Sequence, residues 1–347
     1  MQNILVTGAA GFIGSNFVQF FANKYPDYKI VVLDKLTYAG NIHNLDPTID
    51  KIKFIKGDIC DRELVEKIFK EEEINGVIHF AAESHVDNSI KTPFVFTETN
   101  VLGTHVLLDV AKNIWGEGSK NKFVHISTDE VFGTLEQIPE EIAKKIEEDQ
   151  VKAILEMSDE ERKKYYFYEE RQIAPNSPYS ASKAGSDMIA RAYFETFKMN
   201  VNITNCSNNY GPYQHKEKLI PNTINLALQD KKVPVYGVGA NVRDWLFVLD
   251  HCKAIDLVYH NAKAGERYCI GGHNEKHNID IVKLILKHLG KSEDLIEFVT
   301  DRKGHDLRYA IDPTKIGNDL GWKPETKFED GIIKTIDWYL KHREWLD

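Results

Sequence analysis

Only four cysteines occur in the 347 residues, at positions 60, 206, 252 and 269, and none stands at Cys-x-x-Cys or Cys/His ligand spacing. This excludes a disulfide framework, and no metal site is expected. The four read as reduced, mostly buried thiols of a cytoplasmic protein, with Cys60, beside Asp61, partly exposed. Positive charge is also scarce: 44 Lys and Arg stand against 53 Asp and Glu, a net charge of −9, with no basic stripe. A general nucleic-acid role is thereby excluded. No apolar run approaches membrane-spanning length, and the chain opens on an apolar strand, so neither a membrane span nor a signal peptide is expected. Internal repeats and low-complexity linkers are absent. What remains is an ordinary globular composition, 42% hydrophobic and 28% charged, long enough for one large or two modest domains.

The most informative stretch lies at the start. Asn3-Ile-Leu-Val-Thr runs into Gly8, Gly11 and Gly14, and the amphipathic run Asn16-Phe-Val-Gln-Phe-Phe follows. A strand, a glycine triplet and a helix in that order build a dinucleotide site. The first glycine permits the turn, the second lets backbone approach a pyrophosphate, and the third lets helix and strand pack closely. The helix aims its free N–H groups and positive dipole end at the phosphates. A second strand, Lys29-Ile-Val-Val-Leu-Asp34, ends in an acid whose carboxylate suits the ribose hydroxyls of NAD and repels a 2′-phosphate.

Further strands are expected at 53–58, 76–82, 122–127 and 201–206, with helices at 61–72, 95–114 and 178–198 between them. This alternation predicts an α/β fold with a doubly wound parallel sheet. From about 206 proline and glycine break the rhythm, and shorter elements follow, with helices near 279–289 and 328–343. The expected division is a nucleotide-binding domain over 1–205 and a smaller substrate lobe over 206–347, with 244–260 returning to the first domain. Residues 135–170 stand apart: they are charged and helix-prone, with Ile142, Ile146, Ile154, Leu155 and Met157 as anchors. Ser158-Asp-Glu-Glu161 reads as a capping box. A solvated surface excursion is expected there, a lid or subunit contact being the alternative.

Tyr179-Ser-Ala-Ser-Lys183 sets a phenol and an ammonium one above the other on a helix that Ser177-Pro178 starts. A tyrosine acting as base near neutrality needs a shift of about three pH units, roughly 4 kcal/mol. One cation about 4 Å away at an effective dielectric of about 20 supplies that much. Lys183 is therefore expected to hold the Tyr179 phenol down.

With Gly-x-x-Gly-x-x-Gly ahead of Tyr-x-x-x-Lys, nearly the whole chain resembles the extended short-chain dehydrogenase/reductase family, whose fold is a Rossmann sheet with a smaller C-terminal lobe. Ser127-Thr128-Asp129-Glu130-Val131-Phe132-Gly133 is similar to the nucleotide-sugar 4,6-dehydratases within it. Ordinary epimerases carry small or hydroxyl residues where two acids stand here. Matching stretches recur at 33–40, 81–87, 205–212, 217–221, 242–246, 271–275 and 301–306.

The resemblance implies NAD as cofactor and thymidine-linked glucose as substrate. Tyr179 would take the 4-hydroxyl proton with Lys183 beside it. Thr128 would bond the C4 oxygen, Glu130 would be the base at C5, and Asp129 the acid at O6. Phe12, Ile13, Lys35, Thr37, Asp58, Ile59, Ala81, Ala82 and Asn100 would join the glycines and Asp34 around the cofactor. Ser84, Asn208, Lys218, Leu219, Pro234, Tyr236, Arg243, Asn278, Arg302 and His305 would hold the nucleotide sugar. Helices 95–114 and 178–198 would pair into a four-helix bundle, giving a homodimer through Val101, Leu102, Val106, Leu107, Met188, Ile189, Ala192 and Tyr193. A UDP-sugar 4,6-dehydratase, a nucleotide-sugar 4-epimerase and a non-catalytic NAD-binding regulator are the alternatives.

Overall fold

Apolar runs of the first half form strands β1 (Asn3–Thr7), β2 (Lys29–Asp34), β3 (Ile52–Lys56), β4 (Gly76–His79), β5 (Lys122–Thr128) and β6 (Val201–Cys206). The second half adds β7 (Asn208–Tyr210), β8 (Val233–Tyr236), β9 (Val242–Phe247), β10 (Arg267–Ile270), β11 (Glu275–His277) and β12 (Ile296–Val299). The computed structural model describes residues 2–301 and 306–346, apart from the side chains of residues 147–151 and 155. Arg302, His305 and the Leu155 side chain thus lie outside the described residues.

Seven strands make one parallel sheet in the order β3-β2-β1-β4-β5-β6-β10. Its central strands are buried along their length, as a sheet covered on both faces requires. On one face Phe17 and Phe21 of helix Phe12–Lys24 meet Ile255 and Val258 of helix Val248–Asn261. On the other, helices Arg62–Glu71, Thr104–Trp115 and Pro178–Phe197 contribute Phe69, Leu107 and Ala190. Strand order reverses between β1 and β4, and a crevice opens there at the strands' C-terminal ends.

The stretch returning to this sheet is longer than 244–260. After helix Val248–Asn261 the chain supplies β10, paired to β6 from Arg267↔Ile203 to Ile270↔Cys206. The sheet needs that partner to cover the β6 edge. The lobe has its own core, where Tyr210, Ile224, Ile285, Phe328 and Ile336 pack between the sheet β11-β9-β7 and helices Leu219–Leu228, Asn278–His288 and Phe328–Lys341.

The segment 135–170 corrects the expectation of a loosely anchored excursion. It forms helices Glu140–Glu156 and Asp159–Tyr165, the second opened by the Ser158/Glu161 capping box. Tyr165, Tyr166 and Phe167 are buried with Ile154 against Val131, Phe132 and Ile311. Backbone bonds Phe167 N→Ala310 O and Asp312 N→Phe167 O, both 2.9 Å, stitch its end to the lobe. Glu169 Oε1 accepts from the Cys269 N–H at 2.8 Å.

The helix expected at 95–114 runs from Pro93 to Trp115 with a π-helical stretch at Thr97–Gly103. Of the apolar residues expected to be surplus on it and its neighbour, Val106, Leu107 and Tyr193 belong to the chain's own core, with Ile189 packed against it. Leu102 and Met188 are 49% and 42% exposed, and Phe94, which was not anticipated, is 78% exposed.

Candidate active site

The cradle at the switch point is shaped by the absence of side chains. Gly8 has φ +69°, and a Cβ there would come within 2.5 Å of the Ala81 nitrogen. A Cβ on Gly14 would come 2.5 Å from the Gly8 oxygen. Helix Phe12–Lys24 starts at Gly11 with no side-chain cap, so its first N–H groups face the crevice. At the end of β2, Asp34 accepts from the N–H of Ala10 and of Leu36, each at 2.8 Å. Burial pushes its carboxyl up and these two bonds pull it back. Lys35 pairs with Asp58 at 2.6 Å.

One cleft of about 320 Å³ joins Gly8, Gly11–Gly14, Asp34, Lys35, Thr37, Asp58, Ile59 and Ala81–Ser84 to Thr128–Glu130, Tyr179 and Lys183, then to Asn208 and Lys218. The Gly8 and Gly14 cradle, the open helix end and the fixed carboxylate fit a dinucleotide such as NAD. Among the described residues no cluster of His, Cys, Asp or Glu could hold a metal ion.

The acid–base groups stand where β5 ends. Thr128 caps a 3-10 turn, Asp129–Phe132, and its hydroxyl accepts from the Glu130 N–H at 3.3 Å. Asp129 is buried, and burial together with the Glu130 charge pushes its carboxyl well above the carboxylate range. Its Oδ2 has no hydrogen-bond partner. Ser177 caps helix Pro178–Phe197 as its sequence predicts, and the helix delivers Tyr179 and Lys183 into the cleft. The expected Tyr179–Lys183 electrostatics are corrected. Burial and the Glu130 charge push the phenol up, with Thr128 pulling it back. The Lys183 ammonium instead donates to the Ile126 carbonyl at 2.8 Å, and burial brings it down to about 8.

Other expected residues are not among those lining the cleft, although the Arg243 guanidinium is near enough to feel the Asp129 and Glu130 charges. Asn100 is buried behind it; its amide bonds both the N–H and the carbonyl of Glu83, and also Ser182 Oγ. Leu219 packs in the lobe core. Pro234 and Tyr236 lie on β8, paired with β12, and Asn278 N donates to Asn241 O. Arg243 stacks on Tyr309 at 4.2 Å and donates to the carbonyls of Val242, Asp306 and Leu307. Conversely, Glu83, Ser127, Gln214, His215 and Glu217 line the cleft without having been anticipated. Glu83, Ser127 and Glu217 each adjoin a residue that was singled out, and that was the available signal.

A nucleotide cradle opening onto acid–base groups is what redox chemistry with a bound dinucleotide requires, and the fold and cleft define a protein of that class. Residues 4–271 match the NAD dependent epimerase/dehydratase family, and the chain belongs to it. It is 46% identical to dTDP-glucose 4,6-dehydratase 1 of Escherichia coli K12 over 360 residues, spanning 100% of this chain and 95% of that protein. Among solved structures, the dTDP-glucose 4,6-dehydratase of Bacillus anthracis in complex with NAD superposes with a TM-score of 0.85 at 45% identity, covering 99% and 98% of the two chains. The Streptomyces venezuelae enzyme with NAD and dTDP bound gives 0.88 at 44% identity, covering 100% and 99%. No helix among the described residues is long and apolar enough to cross a membrane.

Proposed function

We propose that this chain is a dTDP-glucose 4,6-dehydratase, converting dTDP-glucose to dTDP-4-keto-6-deoxyglucose and water. The observation that carries the reading is the Asp129-Glu130 pair in the same cleft as Tyr179, with Asp129 held protonated by burial. A 4-epimerase has no use for a second carboxyl group there, and neither does a regulator that only binds NAD.

Bound NAD, held by Gly8–Gly14, Asp34 and Asp58, supplies the two-electron acceptor at C4 and returns the same electrons at C6. Tyr179 takes the 4-hydroxyl proton as its phenolate, a form that the Lys183 ammonium and the positive ring of the oxidised cofactor would have to sustain against burial and the Glu130 charge, with Thr128 bonding the C4 oxygen. The C4 ketone acidifies the C5 proton, which Glu130 removes. Asp129 gives its proton to the departing C6 hydroxyl, so water leaves, and Glu130 returns a proton to C5. Ser84, Asn208 and Lys218 are assigned to the sugar and diphosphate. Asn208 Oδ1 is buried without a partner, as a group awaiting a ligand would be. Pro234, Tyr236, Arg243 and Asn278 are assigned to the nucleoside side, with Arg302 and His305. The cofactor domain is 1–205 plus the returning chain, and the rest of 206–347 serves the substrate. Four free cysteines agree with work in the reducing cytoplasm.

The active form is a homodimer built through helices Pro93–Trp115 and Pro178–Phe197. Phe94, Val95, Leu102 and Met188 are the exposed apolar side chains that such a contact would cover.

Mass spectrometry after incubation with dTDP-glucose and, separately, UDP-glucose tests the reading. Loss of one water from the thymidine nucleotide is the expected result. Loss only from UDP-glucose would reassign the nucleotide, and isomerisation without mass change would make the protein an epimerase.

A further inference from the structure

Behind Tyr179 and Lys183 the same helix carries a third polar residue, Asp187, with no solvent exposure and no share in the cleft lining. A charged carboxylate is costly to bury unless charges and hydrogen bonds compensate. At Oδ2 they do: Arg267 Nη1 of β10 lies 3.5 Å away and Asn205 Nδ2 of β6 donates at 3.1 Å, while neutral His125 Nε2 of β5 lies 3.3 Å from Oδ1. These neighbours hold the carboxyl below the usual carboxylate range despite its burial.

Two connections run from this carboxylate to the reaction centre. The same Asn205 amide donates to the Thr128 carbonyl at 2.9 Å, where the turn bearing Asp129 and Glu130 begins. Lys183 stands one helical turn before Asp187, and Asp187 leads the groups that sustain its positive charge against burial. We propose that Asp187 is a positioning residue for the dehydration: its carboxylate is the buried countercharge of Lys183 and, through Asn205, the anchor of the Thr128–Glu130 turn. The kinetic part of this proposal rests on the function proposed above.

The groups that share Lys183's electrostatic surroundings are Asp187 on its own helix, His79 of β4, His125 of β5 and Cys206 of β6, while Arg267 of β10 faces Asp187. Burial keeps both histidines neutral, His125 at about 4, and holds the Cys206 thiol up at about 12. Between these limits Lys183 is the group that titrates, losing its charge as pH rises through about 8. Removing the Asp187 charge lowers that value further.

Asp187→Asn keeps the shape and an acceptor for Asn205. It should move the alkaline limb of kcat with dTDP-glucose down by about one pH unit. NMR of ¹⁵N-lysine-labelled protein without cofactor should show the Lys183 Nζ titration moving by the same amount. Asn205→Ala, which cuts the anchor and leaves the charge, should lower kcat roughly ten- to hundredfold with the limb in place. An Nζ titration unmoved by Asp187→Asn overturns the countercharge. An unchanged kcat in Asn205→Ala overturns the anchor. If the wild-type chain leaves dTDP-glucose intact, the functional reading fails, while the Nζ titration still decides the role of Asp187.

Discussion

Two neighbouring carboxyl groups share the end of β5, and burial assigns them different work. Asp129 is 2% exposed and its carboxyl is pushed well above the carboxylate range, which favours the proton that the proposed mechanism gives to the C6 oxygen, whereas Glu130 is half-buried. Removing the base without removing the acid separates the half-reactions. Glu130→Gln should leave C4 oxidation intact and slow dehydration by a factor of about 10² to 10⁴. Borodeuteride quenching should then trap a 4-keto sugar that still carries its C6 hydroxyl. Tyr179→Phe should yield no keto sugar at all. Equal loss of C4 oxidation in both variants would show that Glu130 is not the elimination base. The protonated form of Asp129 is the useful one, so elimination should fade as pH rises through its folded value, in the same direction as loss of the Lys183 charge. Uptake of solvent deuterium at C5 separates the two, because it needs Glu130 but not the Asp129 proton; Asp129→Asn should retain it while losing water release.

At the scale of elements, the helix-and-strand order of the first half was legible where a helix start carries its own signal. Ser177-Pro178 caps and opens its helix as read, and the glycine triplet turns β1 into helix Phe12–Lys24. Side-chain direction within an element was less legible. Spacing put Lys183 above Tyr179 but could not say that its ammonium would choose the Ile126 carbonyl. The same i, i+4 step from Lys183 to Asp187 was present in the sequence and went unread, since nothing local shows that the residue is buried. The aromatic triplet 165–167 was hidden by the charged run before it, and its partners at 309–311 are distant in sequence. Phe167→Ala should cost about 3–5 kcal/mol, seen as a lower urea midpoint. Cutting out 137–165, harmless for a solvated excursion, should prevent folding. A normal midpoint in Phe167→Ala would mean that the ring contributes nothing to the core.

Across the whole molecule, helix Pro178–Phe197 turns Tyr179 and Lys183 toward the cleft and Met188 toward solvent, so the proposed catalysis and the proposed dimer contact would draw on one helix. Leu102→Asp with Met188→Asp should give a monomer by light scattering at micromolar concentration, against a dimer for the unaltered chain. A parent chain that is already monomeric would remove the interface from consideration. Strand β10 was not legible, because it reads as a short apolar run with no periodicity of its own.

That strand also bears on how the protein is made. In a chain emerging N-terminus first, β6 is complete at Cys206, but its neighbour begins only at Arg267. At ordinary elongation rates the nascent sheet therefore shows an open edge for roughly 3–12 s, about sixty residues of synthesis. Helix Val248–Asn261, which covers much of one sheet face, is also still missing for most of that interval. The window is one in which a ribosome-associated chaperone has an apolar edge to shield, and it closes when the lobe has been threaded out and its last sheet strand has docked.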